Sequence, residues 1–220
     1  MSRTPPPRAV VFDLDGTLID SMPLVIEAVA HAIAPFGTRS PHEIFARLGG
    51  PPERFLGLLI GEMKHVPVAV SRMELFLREN AHLIRVFDGA VALLQSLRGA
   101  RVHAALWTGR DRASTEVLLG RHALGTYFST VVCGDDLPSH KPDPAGLREI
   151  MRRLEVAPGE TLFVGDADVD VLGGQGCGVD TLLIRHDREI ESHITAKSWR
   201  TVRAPENAFQ LVLQSLPSAV

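Results

Sequence analysis

Two aspartates, Asp13 and Asp15, stand at the end of the apolar run Ala9–Phe12. The run reads as a buried strand, and side chains alternate along an extended chain, so positions two apart face the same way. Both carboxylates therefore point toward one site, and Gly16 permits the tight exit that follows. Like charges this close repel unless a cation sits between them or one of them holds a proton, and either arrangement serves catalysis. Surface carboxylates in a turn are the plainer reading of an isolated Asp-x-Asp. That reading gives way if further polar signatures follow further strands.

Three do. The run Val102 to Trp107 ends in Thr108-Gly109, where a small hydroxyl and exposed amides at a strand–helix junction can hold a phosphate oxygen. Helix capping is the simpler role for Ser114 and Thr115. Arg110 and Arg112 either stay solvated or reach a phosphate or the distal group of a substrate. After a third strand comes His140-Lys141-Pro142-Asp143-Pro144, in which two prolines stiffen the chain around one of only three lysines. An ammonium held in this way suits neutralisation of a phosphoryl group or of a carboxylate nucleophile. His140 is expected to be a structural or solvent-facing neighbour.

The fourth signature is Gly165-Asp166-Ala167-Asp168-Val169-Asp170, again at the end of an apolar strand. A carboxylate arriving from a second strand beside Asp13 would complete a site for magnesium, a hard cation that takes oxygen ligands and keeps several waters. Asp166 is the expected ligand. Asp170, one turn further on, is expected to orient Lys141 or a metal-bound water, and Asp168 to be solvated or to cap a helix. Gly173, Gly174, Gly176 and Gly178 follow the motif instead of bridging strand and helix, so they read as packing and turn residues.

The elements that must position these groups alternate. Helices over 89–98, 112–124 and 144–154 interleave with strands over 102–107, 130–133 and 161–164, and a fifth strand over 181–184 closes the set. This rhythm predicts an α/β fold, a doubly wound parallel sheet of Rossmann-like type, whose ligand crevice lies outside the carboxyl ends of the strands. Between Asp20 and Phe87 the period turns helical. Leu24, Val25, Ala28, Val29 and Ala32 mark one amphipathic helix, with Ser21 and Pro23 as its N-terminal signals and an end near Pro35 and Gly37. A short helix follows Ser40-Pro41, and others fall within 53–64 and 67–85. Arg47, Leu48, Gly49 and Gly50, before Pro51-Pro52, form either a loop able to face the core site or a plain interhelical turn. The expected division is a disordered tail over 1–8, a Rossmann-like core from 9–20 and 87–220, and a small α-helical cap domain, 21–86, inserted after the first strand.

A chain of 220 residues with 45% hydrophobic and 22% charged content can bury a full core, and its net charge of -3 offers no polycation suited to nucleic acid. No apolar run approaches the length of a membrane span, and the stretch with Pro5, Pro6 and Pro7 lacks the apolar core of a signal peptide. A cytoplasmic protein without membrane or nucleic-acid partners, a monomer or weak homodimer, is expected. Cys133 and Cys177 have no close-spaced partner and are expected as buried thiols.

Taken in order over roughly residues 9–215, the four signatures resemble the four motifs of the haloacid dehalogenase-like superfamily, Asp13-Leu14-Asp15-Gly16-Thr17 being the most diagnostic. The insertion resembles the helical cap of the subfamily that contains phosphoglycolate phosphatase and β-phosphoglucomutase. The resemblance implies that Asp13 is a nucleophile that becomes an aspartyl-phosphate, and that Asp15 serves as acid and then base. It implies magnesium held by Asp13, Asp166 and the Asp15 carbonyl, with Thr108, Gly109 and Lys141 on the transferring oxygens and a cap that closes over the site. The implied activity is a phosphatase acting on a small phosphorylated metabolite, for which Arg47 is the candidate substrate contact in the cap. Dehalogenases of the superfamily lack an acid at position 15, and phosphonatases carry a small residue there and use a cap lysine, so Asp15 favours phosphate esters; Lys64 is the one lysine in the cap. A sugar-phosphate mutase would use the same core residues. A silent binding protein on this fold is expected to have lost at least one of Asp13, Asp15, Lys141 or Asp166. Gly109-Arg110 stands where Asn-Lys or Asn-Gly is frequent, and Ala167 where Ser is frequent.

Overall fold

Ala9, Val10, Val11 and Phe12 have no exposed surface and form strand β1 (Ala9–Phe12). The computed structural model describes residues 5–48, 52–188 and 190–217. After β1 come β2 (Ile19–Asp20), four helices α1 (Met22–Ile33), α2 (Pro41–Phe45), α3 (Pro52–Ile60) and α4 (Val66–Asn80), and β3 (Arg85–Val86). Strands and helices then alternate: α5 (Ala90–Gly99), β4 (His103–Trp107), α6 (Arg112–Arg121), β5 (Phe128–Val132), α7 (Ala145–Leu154), β6 (Thr161–Gly165), α8 (Asp168–Gln175), β7 (Asp180–Ile184), α9 (Ser192–Thr195), β8 (Arg200–Val202) and α10 (Pro205–Ser215). The chain divides into two compact units, one built from the segments up to Ile19 and from Val86 onward, the other from Asp20–Arg85.

The first unit holds a six-stranded sheet in the order β5-β4-β1-β6-β7-β8, every pair parallel. It is the doubly wound α/β fold that the alternation predicts. A parallel strand covered on both faces needs an unbroken apolar run, which is why Ala9–Phe12 carries no polar residue. Val11 pairs with Ala105 on one side and Phe163 on the other. On one face these residues pack with Trp107 and Val132 against Leu147, Ile150 and Met151 of α7. On the other, α5 contacts β4 and α10, and α10 contacts β7. Each large side chain buried here contributes about 1.5–3 kcal/mol by leaving water. From β1 the chain winds outward through β4 and β5, then returns to the far side of β1 for β6. The switch point of the sheet therefore lies between β1 and β6, where the ends of two strands leave a crevice.

Several boundaries differ from the sequence pattern. The sheet has a sixth strand, β8, whose residues are exposed or half-buried as befits an edge and so carry no apolar run. The third core strand is Phe128–Val132, starting before and ending before the expected 130–133. The segment 1–8 is not a tail throughout: residues 1–4 lie outside the description, but Pro7 is buried and the Arg8 amide donates to the Glu160 carbonyl at 2.8 Å.

In the second unit Ala28, Val29, Ala32 and Ile33 of α1 pack with Ile44, Phe55, Leu56, Leu59, Ala69 and Met73. Ser21 occupies the N-cap position of α1, yet its side chain makes no capping bond. Ser40 does cap α2: the Glu43 amide donates to Ser40 Oγ at 3.2 Å and the Ser40 amide donates to Glu43 Oε2 at 2.8 Å, a reciprocal capping box.

Candidate active site

Asp13 leaves β1 with its amide donating to the Val164 carbonyl of β6 at 2.8 Å, so the first aspartate is registered directly against the strand that delivers Asp166. Lys141 Nζ donates to Asp13 Oδ1 at 2.6 Å and to Asp170 Oδ1 at 2.8 Å. It lies over the Trp107 and Phe163 rings, 4.9 and 5.2 Å from their centroids, where an ammonium is held by the ring quadrupoles. The second oxygen of Asp170 accepts from the amides of Asp166 and Ala167 at 3.1 and 3.0 Å. One buried carboxylate thus fixes both the lysine and the loop bearing Asp166. Asp13, Asp166 and Asp170 are all buried, and each brings a carboxylate oxygen within 4.8 Å of the others.

Three carboxylates share this space with fewer cations, and the protonation equilibria follow. Burial pushes the Asp13 carboxyl up to about 7, against the pull of Lys141 and with the help of Asp170. Burial raises Asp166 well above the ordinary range as well, with Arg188 pulling the other way. For Lys141, burial opposes the charge, but Asp13 and Asp170 outweigh it and hold the ammonium protonated beyond the usual lysine range.

Asp15 is handled separately. Arg110 Nε donates to its Oδ2 and Arg110 Nη2 to its Oδ1, a two-pronged grip. Buried Thr108 Oγ1 accepts from the Arg110 amide at 3.1 Å. The Gly134 amide donates to the Arg110 carbonyl at 2.8 Å, and a Cβ at Gly134 would stand 2.3 Å from the Gly109 carbonyl oxygen, so only glycine lets the two loops approach. Gly16, at φ +75°, is similarly tight: a Cβ there would lie 2.4 Å from Asp166 Oδ2.

A family model for haloacid dehalogenase-like hydrolases matches residues 10–184. The chain belongs to this family. This hydrolase is 38% identical over 184 residues to phosphoglycolate phosphatase 1 of Pseudomonas aeruginosa, a match covering 79% of the chain and 67% of the relative. It is 32% identical over 191 residues to the plasmid phosphoglycolate phosphatase of Cupriavidus necator, covering 82% of each. A Haemophilus somnus crystal structure described as a predicted phosphoglycolate phosphatase matches with a TM-score of 0.81 at 18% identity, over 92% of this chain and 96% of that one, a likeness of fold.

Within the hydrolase, Asp13, Lys141, Asp166 and Asp170 meet in one cluster, and Thr108, Gly109 and Asp15 meet around Arg110. Asp168 is exposed at the start of α8 and accepts from the Val169 amide, and His140 is exposed. Arg112 is turned away: it binds Asp136, Glu116 and the Val131 carbonyl. Arg47 is exposed in the turn after α2, where it lines a cavity of about 330 Å³ with Arg39, His42 and Leu58; Gly49 and Gly50 lie outside the described residues. Gly173 and Gly174 are helical and packed, since a Cβ would meet the Trp107 ring at 2.7 Å or Thr181 Oγ1 at 2.1 Å.

The loop after β7 brings two further side chains to the site that no motif in the sequence marks. There His186 Nε2 donates to the Gly16 carbonyl at 2.6 Å, and Arg188 Nη2 to Asp166 Oδ2 at 2.7 Å. The rule that ligands gather at the carboxyl ends of parallel strands covers this loop too, and would have pointed to His186 and Arg188.

Proposed function

We propose that this hydrolase is a magnesium-dependent phosphatase that acts on a small phosphorylated metabolite in the cytoplasm through an aspartyl-phosphate on Asp13. The observation that carries the reading is the buried Lys141 ammonium joining Asp13 to Asp170 at the switch point of the sheet. The names of the two curated relatives make phosphoglycolate the first substrate to try.

The donor set fits magnesium. It consists of hard carboxylate oxygens converging from two strand ends, with Gly16 leaving room beside Asp166. Both oxygens of Asp170 are engaged, by Lys141 and by two amides. Asp13 and Asp166, with the Asp15 carbonyl, would therefore hold the cation, whose charge offsets that of the phosphoryl group and its nucleophile.

Phosphoryl transfer asks mainly for alignment and charge stabilisation. Asp13 attacks phosphorus in line. Lys141 binds a phosphoryl oxygen while keeping the nucleophile in place. Thr108 Oγ1 accepts from the Arg110 amide, which leaves its own hydrogen to donate to a second phosphoryl oxygen. Asp15 protonates the leaving oxygen, then takes a proton from the water that cleaves the aspartyl-phosphate.

The test is release of inorganic phosphate from phosphoglycolate, a metabolite-phosphate panel and para-nitrophenyl phosphate, with magnesium and with chelator. Magnesium-dependent release is expected. Silence across the whole panel at millimolar magnesium would replace the reading with that of a binding protein on the same fold.

A further inference from the structure

Arg188 touches the one carboxylate of the cluster that Lys141 does not. Its Nη2 is 2.7 Å from Asp166 Oδ2, and its Nη1 reaches the Asp166 carbonyl at 3.5 Å. The two cations of the cluster are held very differently. Lys141 is 7% exposed, wedged between two carboxylates and two aromatic rings on a chain stiffened by Pro142. Arg188 is 26% exposed and arrives from a turn at the surface, where its amide donates to the Arg185 carbonyl at 3.0 Å. The base of that turn is fixed: the Arg185 amide donates to Val202 of β8 at 2.9 Å, and Arg203 pairs with Asp187. A long flexible side chain on a firm anchor can leave Asp166 without any movement of the backbone.

We propose that Arg188 is an internal competitor for the metal site: it occupies Asp166 as a stand-in cation, withdraws when magnesium binds, and so sets how tightly the metal is held. This rests on the reading of Asp13 and Asp166 as magnesium ligands. The physical reasoning is charge balance. Three buried carboxylates against Lys141 alone would leave Asp166 buried without a counter-charge, a costly state that Arg188 relieves. A divalent ion entering beside Asp166 relieves it better, and a guanidinium left at the same carboxylate would then face two positive charges at short range. Asp166 therefore prefers one cation or the other. Two ligands that exclude one another are coupled, so weakening the hold of one tightens the apparent binding of the other.

Calorimetric titration of magnesium into the full-length wild type and into Arg188→Gln, with thermal melting of both in chelator and in magnesium, tests this without any measurement of turnover. The Gln variant should bind magnesium about fivefold more tightly or better. In chelator it should melt at a lower temperature than wild type, and it should gain more from saturating magnesium. Magnesium binding to the variant that is equal to or weaker than wild type overturns the proposal, and makes Arg188 a prop for Asp166 or a bystander. If the Gln variant does not fold, Arg188→Lys, which keeps the charge but loses the two-pronged reach, decides in its place: tighter binding than wild type supports competition, equal or weaker binding rejects it. Failure of wild type itself to bind magnesium in the titration would remove the metal-site reading and this proposal together, which separates that outcome from a failure of the Arg188 argument alone.

Discussion

Arg110 grips Asp15 through two hydrogen bonds, 3.0 Å from Nε to Oδ2 and 2.5 Å from Nη2 to Oδ1. A carboxylate held by a planar fork has one orientation, and this is the carboxylate assigned to proton transfer at the leaving oxygen. Leaving groups that depart as stable anions need no such help. Arg110→Met is therefore expected to lower kcat/KM for alkyl phosphates by about a hundredfold, and for para-nitrophenyl phosphate by far less. A uniform loss across leaving groups of different acidity would instead put Arg110 on the phosphoryl group.

Asp13→Asn removes the proposed nucleophile and keeps its shape. Turnover should fall by about a thousandfold or more. Lys141 retains its contact with Asp170, so the variant should still fold. Single-turnover transfer of labelled phosphate to this variant would exclude the assigned role.

Asp170→Ala should cost stability as well as rate. The change strips the amides of Asp166 and Ala167 of their acceptor and removes one of the two carboxylates that hold buried Lys141. A loss of about 3 kcal/mol, or roughly 6–12 °C in Tm, is expected from breaking such a network. A melting curve superimposable on wild type would show that the network is not what fixes the loop.

The elevated Asp13 carboxyl predicts how magnesium and pH interact. In the fold it titrates at about 7, against an ordinary value of 3.8. Folded protein then binds more protons than unfolded protein between those values, so this group's contribution to stability is full below 3.8 and is lost as pH rises through 7. Magnesium held by Asp13, as proposed, competes with the same proton. Without metal, Tm should fall between pH 6 and pH 8, and the rise produced by magnesium should be larger at pH 8. Equal magnesium effects at both pH values would contradict the assignment of Asp13 as a ligand.

Much of this arrangement is legible in the chain because burial leaves a plain trace. Ala9–Phe12 had to be apolar throughout to sit between two strands, so both its position and what emerges from its end can be read directly. The same holds for Thr161–Gly165 and Asp166. The alternation of helix and strand gives the order of winding, and hence the switch point. Strand β8 left no such trace, since Arg200 and Thr201 are exposed. Arg188 left only its position after β7, because a surface arginine looks the same in sequence whether it faces solvent or a buried carboxylate. Arg110 was visible as a residue that could reach something anionic. That its partner is Asp15 depends on the approach of the 108–110 and 133–134 loops, which single residues do not announce.

The packing around Trp107 extends the proposed catalytic apparatus past the charged groups. A Cβ at Gly146 of α7 would meet its indole nitrogen at 2.2 Å, and one at Gly173 of α8 would meet its ring at 2.7 Å. The same indole forms one of the two aromatic surfaces over which the Lys141 ammonium lies. Two helices, α7 with none of the site's charged groups and α8 with Asp170, thus set the height of the floor on which the lysine rests. A methyl group added at position 146 or 173 would tilt that floor, and its kinetic symptom would be a faulty lysine in a protein whose every charged residue is intact.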